Sequence, residues 1–425
     1  MRVELITIGD ELLLGLTVDT NAAYLARELG AVGVEIVRRA TVGDVAADIA
    51  NAVADALART GAVVTTGGLG PTSDDMTKPA IATLFGRELE FDTDTYERIE
   101  RRWQSRGLRG PLPATNRQQA LIPRGAIILA NDHGTAPGIW LEDAQGRWVA
   151  MLPGVPREMR AMVADRLIPR LRAGAQGAST VVRSRTLRTT GIAESAAAER
   201  LGPLAGGVEG MPLAYLPGLD GVDLRVTARG LPDSEADALL ESAAARLREM
   251  MGAFVYGEGT MDLAAVVLDA CRKCGLHLAV GESCTGGLLG ARLTSVPGSS
   301  EVFLGGVIAY DNSIKESMLG VSPGELADVG AVSEPVATAM ARGARTRTGA
   351  DIGVAITGIA GPTGGSPTRP IGTVWIALDH PGPQFQVATE VRHAIFVGDR
   401  EEIRYRSTQT ALDMIRRALP TQRSS

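Results

Sequence analysis

The sequence predicts an α/β protein in which two α/β domains flank a smaller α+β domain, and three observations carry that prediction. A chain of 425 residues is longer than one ordinary domain. Short apolar runs alternate with amphipathic helical stretches over the first 170 or so residues and again from about residue 260. That alternation is the pattern of strands buried beneath helices on both faces of a mostly parallel sheet. Between about 180 and 257 the texture changes to strand, helix, strand and one long helix. The boundaries are placed at 1–172, 178–257 and 260–420.

The elements follow in chain order. Residues 3–8 read as a strand, and Asp19-Thr20-Asn21 supplies cap chemistry for a helix through Leu29. A second strand over 34–40, a helix over 45–59 and a third strand over 62–66 lead into Gly67-Gly68. In the middle segment, strands at 180–189 and 223–228 alternate with helices at 194–201 and 234–251. That segment holds no chemically suggestive cluster and reads as a spacer or interaction domain. The last segment runs helix 261–274, a strand through Gly281, a Gly-rich turn, a helix and a strand through Tyr310. Helix 334–348, strand 352–357, a Gly/Pro-rich loop, two strands and a helix over 399–419 complete it, before a polar tail at 421–425. Internal repeats are absent.

Composition narrows the functional classes. Hydrophobic residues at 45% and charged residues at 22% suit a soluble globular protein. A net charge of −6 and a pI near 5.5 leave no basic footprint, so direct nucleic-acid contact is not expected. Arg98, Arg101, Arg102, Arg106 and Arg109 stand at near-helical spacing among acids and read as a solvated face. No signal peptide is expected from the opening residues, because the apolar stretch 3–8 is short and holds Glu4, and no apolar run approaches the roughly 20 residues of a membrane span. Three cysteines cannot close into pairs, which suggests a reduced cytoplasm. Cys271 and Cys274 form a lone C-x-x-C with no partner set for zinc, and packing is the better reading.

The C-terminal segment carries the strongest chemistry. In Gly281-Glu282-Ser283-Cys284-Thr285-Gly286-Gly287 an apolar strand stops at a small-residue turn that opens a helix. A serine there can act as a nucleophile, with helix-start amides stabilising the oxyanion. The commoner local role for Ser283 or Thr285 is a helix cap. Cys284 is a rival nucleophile that more often is a small buried residue. His277, His380 and His393 show no triad pattern, whereas Lys315 follows an apolar strand, and desolvation there would disfavour its ammonium. Taken alone, Lys315 is a surface residue. The loop from Thr357 to Gly365 could lay amides around a phosphate or be a plain turn, and Arg400 could clamp a phosphate or be exposed in a first helical turn.

A second constellation lies near the N-terminus. Gly67, Gly68 and Gly70 in the run to Thr77 suit close backbone approach to a phosphate, yet no Walker A lysine or dinucleotide fingerprint follows. Asp74 and Asp75 would repel a phosphate unless a divalent cation intervened. As helix-capping residues they need no ligand, and that reading is preferred for Asp74 and stands level for Asp75. Asp10 and Asp44 follow the first two strands, whose ends line the ligand crevice of an open α/β sheet. Asn116, the loop Gly134 to Gly138 and the loop Leu152 to Pro156 are of similar type, and Glu158 is a weaker bet that can simply start a helix.

GESCTGG, GGVIAYDNSIK, AITGIAGPTGG with PIGTVWIAL, and GDREEIR occur in order between Gly281 and Arg404. Together they resemble the C-terminal domain of the CinA family and stand-alone nicotinamide mononucleotide deamidases. GDELLLG, TNAAYLA, GGLGPTSDD, NDHGTAPG and LPGVPREM resemble the molybdopterin-binding-like N-terminal domain of the same family, and GIAESAAAERLG its small KH-like middle domain. The resemblance implies hydrolysis of nicotinamide mononucleotide to nicotinate mononucleotide and ammonia without a metal. It puts the nucleophile at Ser283, the base at Lys315 and a supporting hydroxyl at Tyr310. Thr285, Gly286, Gly287, Thr357, Gly358, Ala360, Gly361 and Arg400 would hold the substrate. For the N-terminal domain it implies cleavage of ADP-ribose to AMP and ribose 5-phosphate. Gly67, Gly68 and Gly70 would hold the substrate, and Asp10, Asp44 and Asp75 a divalent metal (Co2+, Mg2+ or Mn2+), with K+ as a further ion. A cytoplasmic homodimer is implied. Regulation or scaffolding in DNA uptake or repair, with a recombination protein as partner, and molybdopterin binding are the alternatives.

Overall fold

In the first strand, apolar side chains alternate between two faces, and each face gathers its own core. The computed structural model describes residues 1–105, 110–174, 180–382 and 387–419; Arg106, Arg109 and the tail 421–425 lie outside the described residues. Strand β1 (Arg2–Ile8) runs parallel to β2 (Glu35–Val42) on one side and β3 (Ala62–Thr66) on the other. A two-stranded ribbon of β4 (Leu89–Phe91) and β5 (Leu121–Pro123) stands apart. With β6 (Ile127–Leu129), β7 (Gly138–Glu142) and β8 (Trp148–Leu152) the main sheet has the order β2-β1-β3-β8-β7-β6. β8 is parallel to β3, whereas β7 and β6 return antiparallel. Val3 and Leu5 pack with Leu25 of helix Thr20–Gly30 and Met159 of helix Pro156–Met162. Ile6 and Ile8 pack on the other face with Ile49 and Val53 of helix Ala46–Thr60. Asp19 caps the first of these helices, accepting the Ala22 amide at 2.9 Å, as its sequence position suggests.

The chain divides into two compact units, Met1–Arg183 with Ala228–Leu239, and Ser184–Thr227 with Leu240–Ser425. The middle sheet comprises β9 (Thr180–Thr189), β10 (Gly207–Val208), β11 (Met211–Pro217), β12 (Val222–Pro232) and β13 (Val255–Glu258), in the order β10-β11-β12-β9-β13. The last sheet is centred on β14 (Leu278–Glu282), flanked by parallel β15 (Phe303–Ile308) and β16 (Ile352–Gly358). Antiparallel β17 (Thr373–Pro381) and β18 (Val387–Ile395) extend it, giving β15-β14-β16-β17-β18. Leu278, Val280, Val354 and Ile356 meet Val267 and Leu268 of helix Leu263–Cys274 and Ile403 and Leu412 of helix Arg400–Ala418. The opposite face presents Ala279, Ala355 and Ala377 to Ala337, Met340 and Ala341 of helix Glu334–Thr348. Among the described residues no helix is long and apolar enough to cross a membrane.

Within the second unit, the middle segment is more than the spacer its sequence suggests. Asp220 accepts from Arg188 Nη2 at 2.6 Å and from Tyr405 Oη at 2.7 Å, and lies 3.9 Å from Arg292 Nη2. Arg292, on helix Leu288–Thr294, is 8% exposed and also reaches Asp262 at 3.2 Å and Gln409 at 2.8 Å. Its guanidinium lies over the Tyr405 ring, 4.6 Å from the centroid. A buried cation needs such partners, and they tie the two helices behind the serine turn to the middle sheet.

Candidate functional site

The turn after β14 is organised by Glu282. Its carboxylate is 1% exposed and accepts the amides of Gly287 (3.0 Å), Leu289 (3.1 Å) and Gly290 (2.8 Å). Two expectations are corrected by this. Neither Ser283 nor Thr285 caps helix Leu288–Thr294, whose N-cap is Gly287 with no side-chain cap bond. The helix-start amides of Gly287, Leu289 and Gly290 are also not open to an oxyanion, because the carboxylate at the strand end already satisfies them. Freed from capping, Thr285 Oγ1 is buried with no partner among the described residues, and Ser283 stands at 8% exposure with its amide bonded to Ile356 O at 2.9 Å. Arg404, the last residue of GDREEIR, a motif whose expected site residue is Arg400 alone, clamps the turn by donating from Nε and Nη2 to Thr285 O at 3.2 and 2.7 Å.

Lys315 is a core residue, contrary to the surface reading of a lone lysine. It is 1% exposed on helix Asn312–Leu319, and Nζ donates to Ala309 O at 2.8 Å and Tyr310 O at 3.1 Å. Burial pushes its ammonium below the ordinary lysine value, with Asp311 and Cys284 pulling the other way. Its hydrogen bonds go to the two carbonyls rather than to Ser283, and the Ala309 amide in turn donates to Glu282 O at 2.7 Å, which ties this segment to the serine turn. Burial pushes the Cys284 thiol up to about 12, so the neighbour of Ser283 is no thiolate nucleophile at neutral pH.

Tyr310, Gly361 and Arg400 converge from three distant segments. Arg400 donates from Nη1 to Gly361 O at 2.5 Å and from Nη2 to Tyr310 Oη at 3.0 Å. Asp399 caps this helix by accepting the Glu401 and Glu402 amides, which fixes Arg400 in its first turn. The other loop positions are tied into the fold. Thr357 Oγ1 donates to Ala331 O, Ala360 is buried, a side chain at Gly358 would press on Thr373 and Val374, and Gly286 lies beside Arg404. The histidines stand elsewhere: His277 pairs with Asp351, His380 lies against Pro381 and Glu390, and His393 stacks on Trp375.

At the C-terminal ends of β1, β2 and β3 a cavity of about 400 Å³ is lined by Gly9, Asp44, Gly67, Gly68, Gly70, Asp74, Asp75 and Glu158. Gly67 has φ +110° and any side chain there would overlap Ile8 O, so the loop passes hard against β1. Asp10 and Asp44 interlock: the Asp10 amide donates to Asp44 Oδ2 at 3.0 Å and the Asp44 amide to Asp10 Oδ1 at 3.2 Å. Asp75 instead folds the glycine loop, accepting from Gly70 N (2.6 Å), Thr72 N (2.8 Å) and Thr72 Oγ1 (2.6 Å). The capping reading of Asp74 and Asp75 does not hold, since helix Thr77–Leu84 starts after Met76 without a side-chain cap. Lys78 is buried beneath the loop, donating to Gln118 O and Gln119 O, and burial lowers it to about 8.

Among the described residues no group of three or more His, Cys, Asp or Glu side chains is gathered to hold a metal ion. The donor chemistry at Asp10 and Asp44 nonetheless fits a divalent cation. The Asp44 carboxyl is pushed up by burial, lowered by the Asp10 amide, and raised again by the charges of Asp10, Glu11 and Asp74. Hard oxygen ligands under mutual repulsion are what Mg2+ or Mn2+ relieves.

Three family models match in tandem: "Probable molybdopterin binding domain" over residues 4–173, "Damage-inducible protein CinA KH domain" over 184–257 and "CinA C-terminal domain" over 260–419. A CinA-like protein of Gemmatimonas aurantiaca is 60% identical over 418 residues, covering 98% of this chain and 96% of that protein. The chain belongs to the CinA family. Another CinA-like protein, from Salinibacter ruber, is 43% identical over 423 residues, covering 99% of this chain and all (100%) of that protein. Among solved structures, a CinA protein of Thermoplasma acidophilum is 37% identical and covers 38% of this chain and 94% of its own, with a TM-score of 0.35. In this CinA-family chain the three-domain architecture is therefore a molybdopterin-binding-like domain, a KH-like domain and the CinA C-terminal domain.

Proposed function

We propose that the C-terminal domain is an amidohydrolase that converts nicotinamide mononucleotide to nicotinate mononucleotide and ammonia. The observation that carries this reading is the division of labour in the turn: Glu282 does the capping, which leaves the side chains of Ser283 and Thr285 without a structural task, while a buried lysine is held on the segment that Glu282 O binds through the Ala309 amide. In the reaction Ser283 Oγ attacks the carboxamide carbon while its proton passes to neutral Lys315 Nζ. The C–N bond then breaks, the Lys315 ammonium returns the proton to the leaving ammonia, and water hydrolyses the acyl-serine. Tyr310 and Arg400, joined by a hydrogen bond, would hold the ribose phosphate. Ammonia release from nicotinamide mononucleotide, with and without EDTA, tests the reading. Metal-independent release that Ser283→Ala abolishes supports it, and a folded protein that releases no ammonia refutes it.

The cavity at the ends of β1, β2 and β3 favours a second activity, cleavage of ADP-ribose to AMP and ribose 5-phosphate. Its support is the pairing of a glycine loop suited to phosphates with the Asp10–Asp44 interlock. Asp10 and Asp44 would hold the divalent cation, with Asp75 setting the loop. The ion, when bound, would supply charge neutralisation and polarise the diphosphate. Release of AMP that requires added metal and survives Ser283→Ala would separate the two sites; loss of both activities in that variant would refute the two-site reading.

A further inference from the structure

The same cavity holds one carboxylate whose setting differs from the others. Asn131 is 6% exposed, and its Oδ1 accepts the amides of His133 (2.9 Å) and Gly134 (2.7 Å). Only an oxygen accepts, so the orientation of this side chain is fixed and its NH2 group faces outward. That group donates to Ala136 O at 2.8 Å and to Glu158 Oε2 at 2.7 Å. Glu158 stands in the first turn of helix Pro156–Met162, and Gly134 makes room for it, because any side chain at 134 would overlap its carboxylate. The loop 131–136 and the start of that helix are thus built around one acid that faces the phosphate cavity.

Two other acids that line this cavity, Asp44 and Asp75, are occupied. Asp10 and Asp44 accept each other's amides, and the two oxygens of Asp75 share three donors of the glycine loop. Glu158 is held by a single neutral side-chain donor on Oε2, which leaves Oε1 free of protein donors among the described residues. A carboxylate fixed at one oxygen and open at the other has the form of a water-orienting base.

We propose that Glu158 is the general base for cleavage of a nucleoside diphosphate derivative in this cavity, with Asn131 as its positioning residue. The proposal rests on the ADP-ribose reading of the cavity. The oxygen of water bonds to a phosphorus of the diphosphate, and the bond from that phosphorus to the bridging oxygen breaks. One water proton passes to the Glu158 carboxylate, and the departing phosphate leaves with the bond's electron pair.

The test compares the full-length protein with Glu158→Gln and Asn131→Ala, measuring AMP release from ADP-ribose with Mg2+ or Mn2+ and AMP binding by calorimetry. Glu158→Gln should lower kcat by about 10²–10⁴-fold, the usual contribution of a general base. KM, AMP affinity and the metal-induced rise in Tm should stay within about threefold or one degree of wild type, the signature of an interaction made only in the transition state. Asn131→Ala should lower kcat by roughly tenfold with the same retention of binding, and it decides the matter if Glu158→Gln does not fold. Unchanged kcat in the folded variants overturns the assignment, as does loss of AMP or metal binding in Glu158→Gln, which would make Glu158 a ligand. No AMP from wild type overturns the ADP-ribose reading itself and this assignment with it.

Discussion

Replacing Glu282 should loosen the serine turn before it unfolds the domain. Its carboxylate holds three amides at 2.8–3.1 Å, of which the bond to Leu289 is buried and those to Gly287 and Gly290 are partly buried. A hydrogen bond to a charged group contributes about 1.5–3 kcal/mol, and a buried donor left unpaired costs about 1–3 kcal/mol. In Glu282→Ala the Leu289 amide is orphaned while the other two regain water in part, so a loss of about 2–5 kcal/mol follows. Glu282→Gln can keep its oxygen where Oε2 serves Gly287 and Leu289, but turns its NH2 on the Gly290 amide, for a loss of about 1–3 kcal/mol. Domain stabilities of about 5–15 kcal/mol leave both variants folded at 25 °C. A displacement of about 1 Å at a reacting group costs on the order of 10²-fold in rate, so ammonia release should fall much further than stability. Urea unfolding and the nicotinamide mononucleotide assay on the same preparations read both quantities. A Glu282→Ala protein with the wild-type urea midpoint would refute the clamp, and one that is destabilised yet deamidates within twofold of wild type would refute its link to the site.

The buried Lys315 amine must be neutral to accept a proton, and burial lowers its pKa, so the deamidation rate should rise with pH and level off at an inflection below 10.5, with Lys315→Met flat and at least about 10³-fold slower. Stopped assays between pH 6 and 10 check both. Arg400→Lys should raise KM for the mononucleotide by about tenfold or more while leaving kcat within about threefold, because an ammonium cannot make the two-pronged contact. For Asp44 the sign is worked from its raised folded-state pKa: the fold binds the proton more tightly than the unfolded chain, so the Asp44 contribution is favourable at low pH and is lost as pH rises through that pKa. Asp44→Asn should accordingly keep or raise Tm at pH 8; Mn2+ should raise the Tm of wild type and leave that of Asp44→Asn unchanged, as scanning calorimetry would read. Cys284→Ala should keep full deamidation, and native protein should resist iodoacetamide at this thiol at pH 7.5, as peptide mapping would show, because the thiol titrates only at about 12.

The layer plan is legible in the sequence because period decides it. Strands buried on both faces read as continuous apolar runs, and β3 (Ala62–Thr66) and helix Glu334–Thr348 fall where apolar runs and Gly punctuation put them. The serine turn is legible as a motif, whereas its support is not. Glu282 at a strand end looks like any exposed polar residue, since nothing local reveals that a helix start folds back onto it. Arg404 carries a signal that could have found it, because it lies four residues beyond Arg400 and shares its helix face. Lys315 escapes a local reading because its burial comes from the packed helix around it rather than from its neighbours in sequence. The adjacent Asp74 and Asp75 fit a helix start by pattern, but the loop uses Asp75 as an internal brace, a tertiary choice that composition does not encode.

The Asp220 junction bears on where this chain can be cut. Sequence modules break between 257 and 260, but severing there would strip Arg292 and Tyr405 of Asp220. An excised C-terminal fragment would therefore carry a guanidinium and a phenol facing a newly wet surface on the helices that back the serine turn. In the whole chain Asp220 keeps both groups paired across the 257–260 boundary. The seam between these two modules is a seam in the sequence that side-chain contacts cross.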